Sequence, residues 1–172
     1  MAKAKNKNIV PIKNLDQLEK EINFDSFELK NEFIHICNLR PNKDQERLDI
    51  EILDEQKCKE KGFVYIFVIK NKIFKIGQSI TNIKGRIQSY NCGKVEYRIN
   101  GTNSTTNYFV LQSLLSINEL VEVYAFFPPK PTYIIFGQSF TDSYPPSKKA
   151  ENIIIKKFKE EHKKLPIGCT QT

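Results

Sequence analysis

The sequence has few of the residues that build metal centres. Its 172 residues include four cysteines, Cys37, Cys58, Cys92 and Cys169, with no CxxC pair among them, and only two histidines, His35 and His162. Structural zinc needs clustered thiolate and imidazole ligands, so this scatter argues against a zinc site or cysteine chemistry and for four reduced thiols. No apolar run approaches the roughly 18 residues of a membrane span. The N-terminal stretch MAKAKNKNIVPIK is basic but has no apolar core, so it does not read as a secretory signal, and a cytoplasmic protein is expected. Internal repeats and low-complexity segments are lacking too. Hydrophobic residues at 40 % and charged residues at 27 % suit a soluble globular chain. Its length allows a core without staples, and one compact domain is expected.

What the sequence has is positive charge, unevenly placed. The formal net charge is +7. Residues 1–56 carry 9 basic and 12 acidic side chains, a net −3, whereas residues 57–98 carry 10 basic and 2 acidic, a net +8. The remainder carries 8 and 6, a net +2. A basic segment of this density is the footprint expected for a polyanion partner, although a solvated lysine-rich face gives the same composition.

Apolar spacing predicts the elements. NLDQLEKEI, with Leu15, Leu18 and Ile22 in helical register and Asn14 as cap, predicts a helix. FELKNEFIHICN predicts a second, carrying His35 as a packing or surface residue. FVYIFVI and KIFKIG predict two strands joined by a turn at Asn71 and Lys72. Both faces of the first strand are apolar, which marks it as central and covered on both sides. TNIKGRIQSY predicts a helix with Arg86 and Tyr90 four apart on one face. Residues 91–106 read as loop. NYFVLQSLLSI predicts a helix capped by Thr105 or Thr106, LVEVYAFF a strand, and residues 128–146 a hairpin turning at Gly137 and Gln138. SKKAENIIIKKFKEEHKK predicts the closing helix, begun by Ser147 and ended before Pro166. The order predicts an α+β fold: a small central, mostly antiparallel β-sheet flanked by helices, with an N-terminal helical extension and inserted loops. Residues 1–60 would form the N-terminal arm and extension, and residues 61–172 the core.

Two polar groups interrupt the central strands. Tyr65 and Lys75 lie within apolar, β-branched runs and need partners there, either each other or a bound phosphate. On the last predicted helix, Ile154, Ile155 and Phe158 follow Glu151 at three, four and seven residues. Glu151 therefore sits on the inward stripe, an odd place for a carboxylate present only to favour the helix dipole.

The spacing of these residues resembles the GIY-YIG nucleases, whose two short motifs lie on adjacent strands. Here the first motif is Phe63-Val64-Tyr65 and the second Lys75-Ile76-Gly77. Phe63 replaces the family's first glycine, and Lys75 replaces its second tyrosine. Arg86 matches the arginine on the following helix, and Glu151 matches the glutamate on a later one. The chain looks most like the compact type II restriction endonucleases of that superfamily, over residues 62–90 and 147–160.

The resemblance implies metal-dependent, site-specific hydrolysis of double-stranded DNA at a short symmetric site. Tyr65, Lys75, Arg86, Tyr90 and Glu151 would be catalytic, and Glu151 would hold one Mg²⁺ per active site. The chemistry suits these residue types. A phosphodiester needs a base for water, a cation for the phosphate and stabilisation of the leaving 3′-oxygen. Tyr65 serves as base if a nearby cation lowers its pKa from about 10, the role expected of Lys75. Arg86 offers a planar fork to phosphate oxygens, and Tyr90 lies one turn later.

Further DNA contacts are expected from Gln78 and Ser79, which could equally cap the next helix, and from Lys94, Lys130 and Lys148, which could equally be solvated. Asn103 and Thr105, in an Asn/Thr-rich stretch, and Gln171 in the tail suit base edges. A two-fold site implies a homodimer, and the class implies a companion DNA methyltransferase. The alternatives are a catalytically inactive DNA-binding protein on the same fold and a basic structural or RNA-binding protein.

Overall fold

The computed structural model describes residues 9–101 and 104–169. Strands β1 (Ile34–Asn42), β2 (Arg47–Ile52), β3 (Phe63–Ile69), β4 (Lys72–Ser79) and β5 (Val121–Phe126) form one sheet in the order β2-β1-β5-β3-β4. Every pairing in it is antiparallel. Helices α1 (Ile83–Asn91), α2 (Val95–Ile99) and α3 (Thr105–Ile117) lie between β4 and β5 in the chain. A separate hairpin of β6 (Thr132–Ile135) and β7 (Gln138–Thr141) precedes α4 (Ser147–His162). The fold is α+β, and among the described residues no helix is long and apolar enough to cross a membrane.

β3 shows why a strand can be apolar on both faces. All seven of its residues are buried. Phe63, Tyr65, Phe67 and Ile69 join one cluster with Ile83, Ile87 and Tyr90 of α1 and Phe109, Val110, Leu111 and Leu114 of α3. Val64, Ile66 and Val68 join another with Ile154 and Phe158 of α4 and with Phe24, Phe27 and Phe33 of the N-terminal segment. The period-two alternation thus serves two cores, one on each face of the sheet.

The N-terminal segment differs from expectation. The helix expected at residues 14–22 is a single 3-10 turn, Leu15–Leu18, and Asn14 makes no side-chain cap. The one expected at 27–38 is a short 3-10 turn, Lys30–Glu32, followed by β1. A register shift against β5 between His35 and Cys37 lets consecutive Ile36 and Cys37 both point inward. With Phe33 and Leu39, that bulge produces a helix-like spacing from a strand. His35, expected as a packing or surface residue, stacks on Tyr124 and bonds Asn38 Oδ1 at 2.8 Å.

Residues 43–52, given no element in the sequence reading, supply β2, and β1 pairs with β5, so residues 34–52 contribute two of the five strands. The region read as loop holds α2, and Ser104, not a threonine, caps α3 by accepting from Asn107 N. Both hairpin turns fall one residue early, at Lys70 and Asn71 (φ 48° and 63°) and at Phe136 and Gly137 (φ 49° and 76°). Two positive φ angles match the right-handed twist of the flanking strands, which outweighs the cost to Lys70 and Phe136.

Candidate active site

The site forms where β3 and β4 run beneath α1 and past the start of α4. Tyr65 stands opposite Gly77 in the β3–β4 register, and its ring lies over the glycine. A Cβ at Gly77 would sit 2.5 Å from Tyr65 Cζ, so only glycine admits the phenol. Asn82 caps α1 by accepting from Gly85 N, fixing the helix that brings Arg86 and Tyr90 over the same ring. The two phenol oxygens lie 2.5 Å apart. Arg86 Nε donates to Tyr65 Oη and its Nη2 to Tyr90 Oη, both at 3.0 Å. The guanidinium also lies 4.4 Å from the Tyr90 ring centre.

These contacts set the electrostatics. Burial pushes the Tyr65 phenol above its ordinary value, while the Arg86 charge and hydrogen bonds from Tyr90 and Arg86 pull against that shift. Burial also pushes Tyr90 well up, and a charge on Tyr65 would push it further. Burial alone would weaken the charged form of Arg86, but the two facing phenols outweigh it and hold the guanidinium charged. Two coupled phenols against one cation favour at most one phenolate.

The cation bonded to Tyr65 is not Lys75, as the sequence suggests, but Arg86. Lys75 stands opposite Phe67, two residues along the strand from the Tyr65 partner position. Its Nζ donates to the Gly168 carbonyl at 2.7 Å, and Arg86 is the cation bonded to the phenol. Lys75 is only 4 % exposed, and burial lowers its pKa, with the nearby Arg86 charge lowering it and the Glu151 charge raising it.

Glu151 lies one turn into α4, on the stripe that continues through Ile154 and Phe158. It is 8 % exposed, and its charge reaches both Tyr65 and Lys75. Lys148 Nζ contacts Glu151 Oε2 at 2.6 Å from a side chain that is 69 % exposed. The start of α4 is tied to the sheet by Ser147 Oγ, which donates to Gln78 Oε1 at 2.9 Å.

The structure thus brings together Tyr65, Arg86 and Tyr90 by direct contact, with Lys75 and Glu151 within electrostatic reach. The other expected residues lie around them or away. Ser79 is buried and closes the turn into α1, bonding Thr81 Oγ1 at 2.9 Å and accepting from Thr81 N. Lys94 Nζ lies 3.4 Å from the Gln45 carbonyl, and Thr105 Oγ1 accepts from Arg98 Nη1 at 3.3 Å. Lys130 lines an open cleft of about 510 Å³ with Lys57, Lys61, Phe127 and Tyr144. Asn103 and Gln171 lie outside the described residues. The sequence reading did not foresee the bond of Gly168 to Lys75 or that of Glu21 to Ile167, which join residues 93 and 146 apart.

No protein-family model and no curated protein sequence matches this chain. Solved structures do. The restriction endonuclease HPY188I, determined in complex with product DNA, is 57 % identical, with a TM-score of 0.74 over 100 % of this chain and 98 % of its own. Bacteriophage T4 EndoII is 16 % identical with a TM-score of 0.57, over 80 % of this chain and 96 % of its own, and shares the fold. With more than half of its residues identical along its whole length, the chain belongs to the family of the restriction endonuclease HPY188I.

Proposed function

We propose that the protein is a type II restriction endonuclease on a GIY-YIG nuclease core, hydrolysing double-stranded DNA at a short symmetric site with one Mg²⁺ per active site. The observation that carries this reading is the Tyr65–Tyr90–Arg86 cluster seated on Gly77, with the buried Glu151 carboxylate within electrostatic reach. The relative solved with product DNA supports a DNA substrate.

The residues fit a single hard cation. Among the described residues no group of three His, Cys, Asp or Glu side chains could hold a metal by itself. One carboxylate, with water and phosphate completing the shell, is a donor set that Mg²⁺ accepts. The Lys148 ammonium on Glu151 supplies the counter-charge that a divalent ion would take over, and its exposed stem lets it withdraw. When bound, Mg²⁺ offsets charge on the phosphate and on the departing 3′-oxygen.

The protein's own groups do the rest. One phenol proton is used between Tyr65 and Tyr90, and Arg86 donates to both oxygens, so Tyr65 can ionise and take a proton from the attacking water. Arg86 commits two of its five N–H groups to the phenols and has others for a non-bridging phosphate oxygen. Lys75 adds a second buried positive charge beside the reacting phosphate. Gln78, Ser79, Lys94, Thr105, Lys130 and Lys148, with Asn103 and Gln171, are the proposed DNA contacts. A homodimer matched to a two-fold site, a protecting DNA methyltransferase and a cytoplasmic setting complete the reading.

A supercoiled plasmid incubated with the protein in Mg²⁺ or in EDTA tests it. Linear or nicked product in Mg²⁺ alone is expected, and an intact plasmid in both would sink the proposal.

A further inference from the structure

Lys75 is a buried lysine on an edge strand, and the groups that hold it come from outside that strand. The 3-10 turn Ile167–Cys169 packs along β4 at Phe74, Lys75 and Ile76. Cys169 Sγ lies 3.3 Å from Ile76 N and 3.2 Å from Ile76 O, occupying the open side of the strand as a further strand would. The Gly168 carbonyl accepts from Lys75 Nζ at 2.7 Å. The backbone comes so close that a Cβ at Gly168 would meet Phe74 O at 2.8 Å and Lys75 Cβ at 2.9 Å.

The turn is in turn fixed by the N-terminal segment. Glu21, itself buried, accepts from Ile167 N at 3.2 Å through Oε2 and from Lys164 Nζ at 2.9 Å through Oε1. Lys164 also donates to the Lys20 carbonyl at 2.7 Å. One carboxylate therefore grips the chain on both sides of Pro166. Each oxygen is used, so losing this buried acceptor would loosen the chain on both sides of Pro166.

We infer that Glu21 and Gly168 are positioning residues for Lys75: Glu21 holds the Ile167–Cys169 turn against β4, and the Gly168 carbonyl orients the lysine head so that its other N–H groups face the reacting phosphate. This rests on the nuclease reading for the use of Lys75, but not for the clamp itself. An ammonium has three donors, and fixing one by a carbonyl restricts the directions of the remaining two. A segment far from the site in sequence thereby controls the chemical step through Lys75.

The test compares the full-length chain with its Gly168→Ala and Glu21→Gln variants by two independent readouts. The first is single-turnover cleavage alongside duplex affinity in Ca²⁺. The second is trace acetylation of folded protein with acetic anhydride, with Lys75 modification followed by mass spectrometry. Displacing a catalytic group by about 1 Å can cost on the order of 100-fold, so cleavage should fall at least ~10-fold while affinity stays within about twofold. Lys75 labelling should rise severalfold. Glu21→Gln keeps the side chain's volume and the backbone carbonyl that accepts from Lys72 Nζ of β4, so it decides the matter if Gly168→Ala does not fold. Wild-type cleavage with Lys75 still protected in both variants would overturn the inference, as would equal losses of cleavage and affinity. If labelling rises but the wild-type protein cuts no DNA, the clamp stands and the nuclease reading fails.

Discussion

Gly77→Ala should cripple cleavage while leaving the fold in place. The added Cβ would lie 2.5 Å from Tyr65 Cζ, whereas ordinary contact begins at 3.4 Å, so the ring must retreat by about 1 Å. It cannot retreat freely, because Phe63 and Phe67 flank it at centroid distances of 5.9 and 4.9 Å and Tyr90 bonds its hydroxyl. Overpacking of this kind costs about 1–3 kcal/mol of stability. A 1 Å misplacement of a reacting group costs on the order of 100-fold in rate. Single-turnover cleavage should therefore fall about 100-fold, with duplex affinity in Ca²⁺ within about twofold, since Gly77 itself offers DNA no side chain. The assay pairs quench-flow cleavage with fluorescence anisotropy and a thermal melt to confirm folding. A folded variant that cuts within threefold of wild type would show that the seating of Tyr65 on Gly77 does not set the geometry of the base.

Other expectations follow from the same contacts. Glu151→Gln should abolish cleavage in Mg²⁺ yet retain specific binding, and robust cutting by it would remove the carboxylate from the mechanism. Because burial raises the Tyr65 pKa and the base must be ionised, the single-turnover rate should climb with pH from 7 towards about 10, and a flat profile would point to another base. The same sign predicts stability that is full below about pH 10 and lost as pH rises through the raised pKa values of Tyr65 and Tyr90; Tyr90→Phe should flatten that alkaline loss in a urea titration. Lys94→Ala should weaken cognate and scrambled duplexes alike and flatten the salt slope by about one unit. Asn103→Ala or Gln171→Ala should penalise only the cognate site, by about 1–3 kcal/mol, and equal losses on both duplexes would reassign base reading to other segments.

What could be read from the sequence was local. The β3–β4 hairpin announces itself through two β-branched runs and a short polar turn, and α4 through its inward stripe of Glu151, Ile154 and Phe158. Arg86 and Tyr90 share a face because they are four apart on one helix. The failures have physical causes. β1 was hidden because its bulge turns Ile36 and Cys37 inward together, and α2 because five residues in a Gly- and Asn-rich region carry little periodicity. Its place on the adjoining strand suggests Lys75 as the partner of Tyr65, but the register sets it opposite Phe67, and Arg86 arrives from a helix 21 residues beyond Tyr65. The clamp of Glu21 on Ile167 has no local signature, since each residue is unremarkable among its neighbours and the contact exists only once the two segments meet.

The central claim is that Tyr65, Arg86, Tyr90 and Glu151 form one metal-assisted, sequence-specific cutting site. It is tested most directly by digesting a DNA of known sequence in Mg²⁺ with the wild-type protein and with Tyr65→Phe, then mapping every end. Discrete fragments sharing one short symmetric sequence at their termini, produced by wild type and not by Tyr65→Phe, are the predicted result. Uncut DNA, a smear without a common terminal sequence, or the same fragments from both proteins would contradict the account.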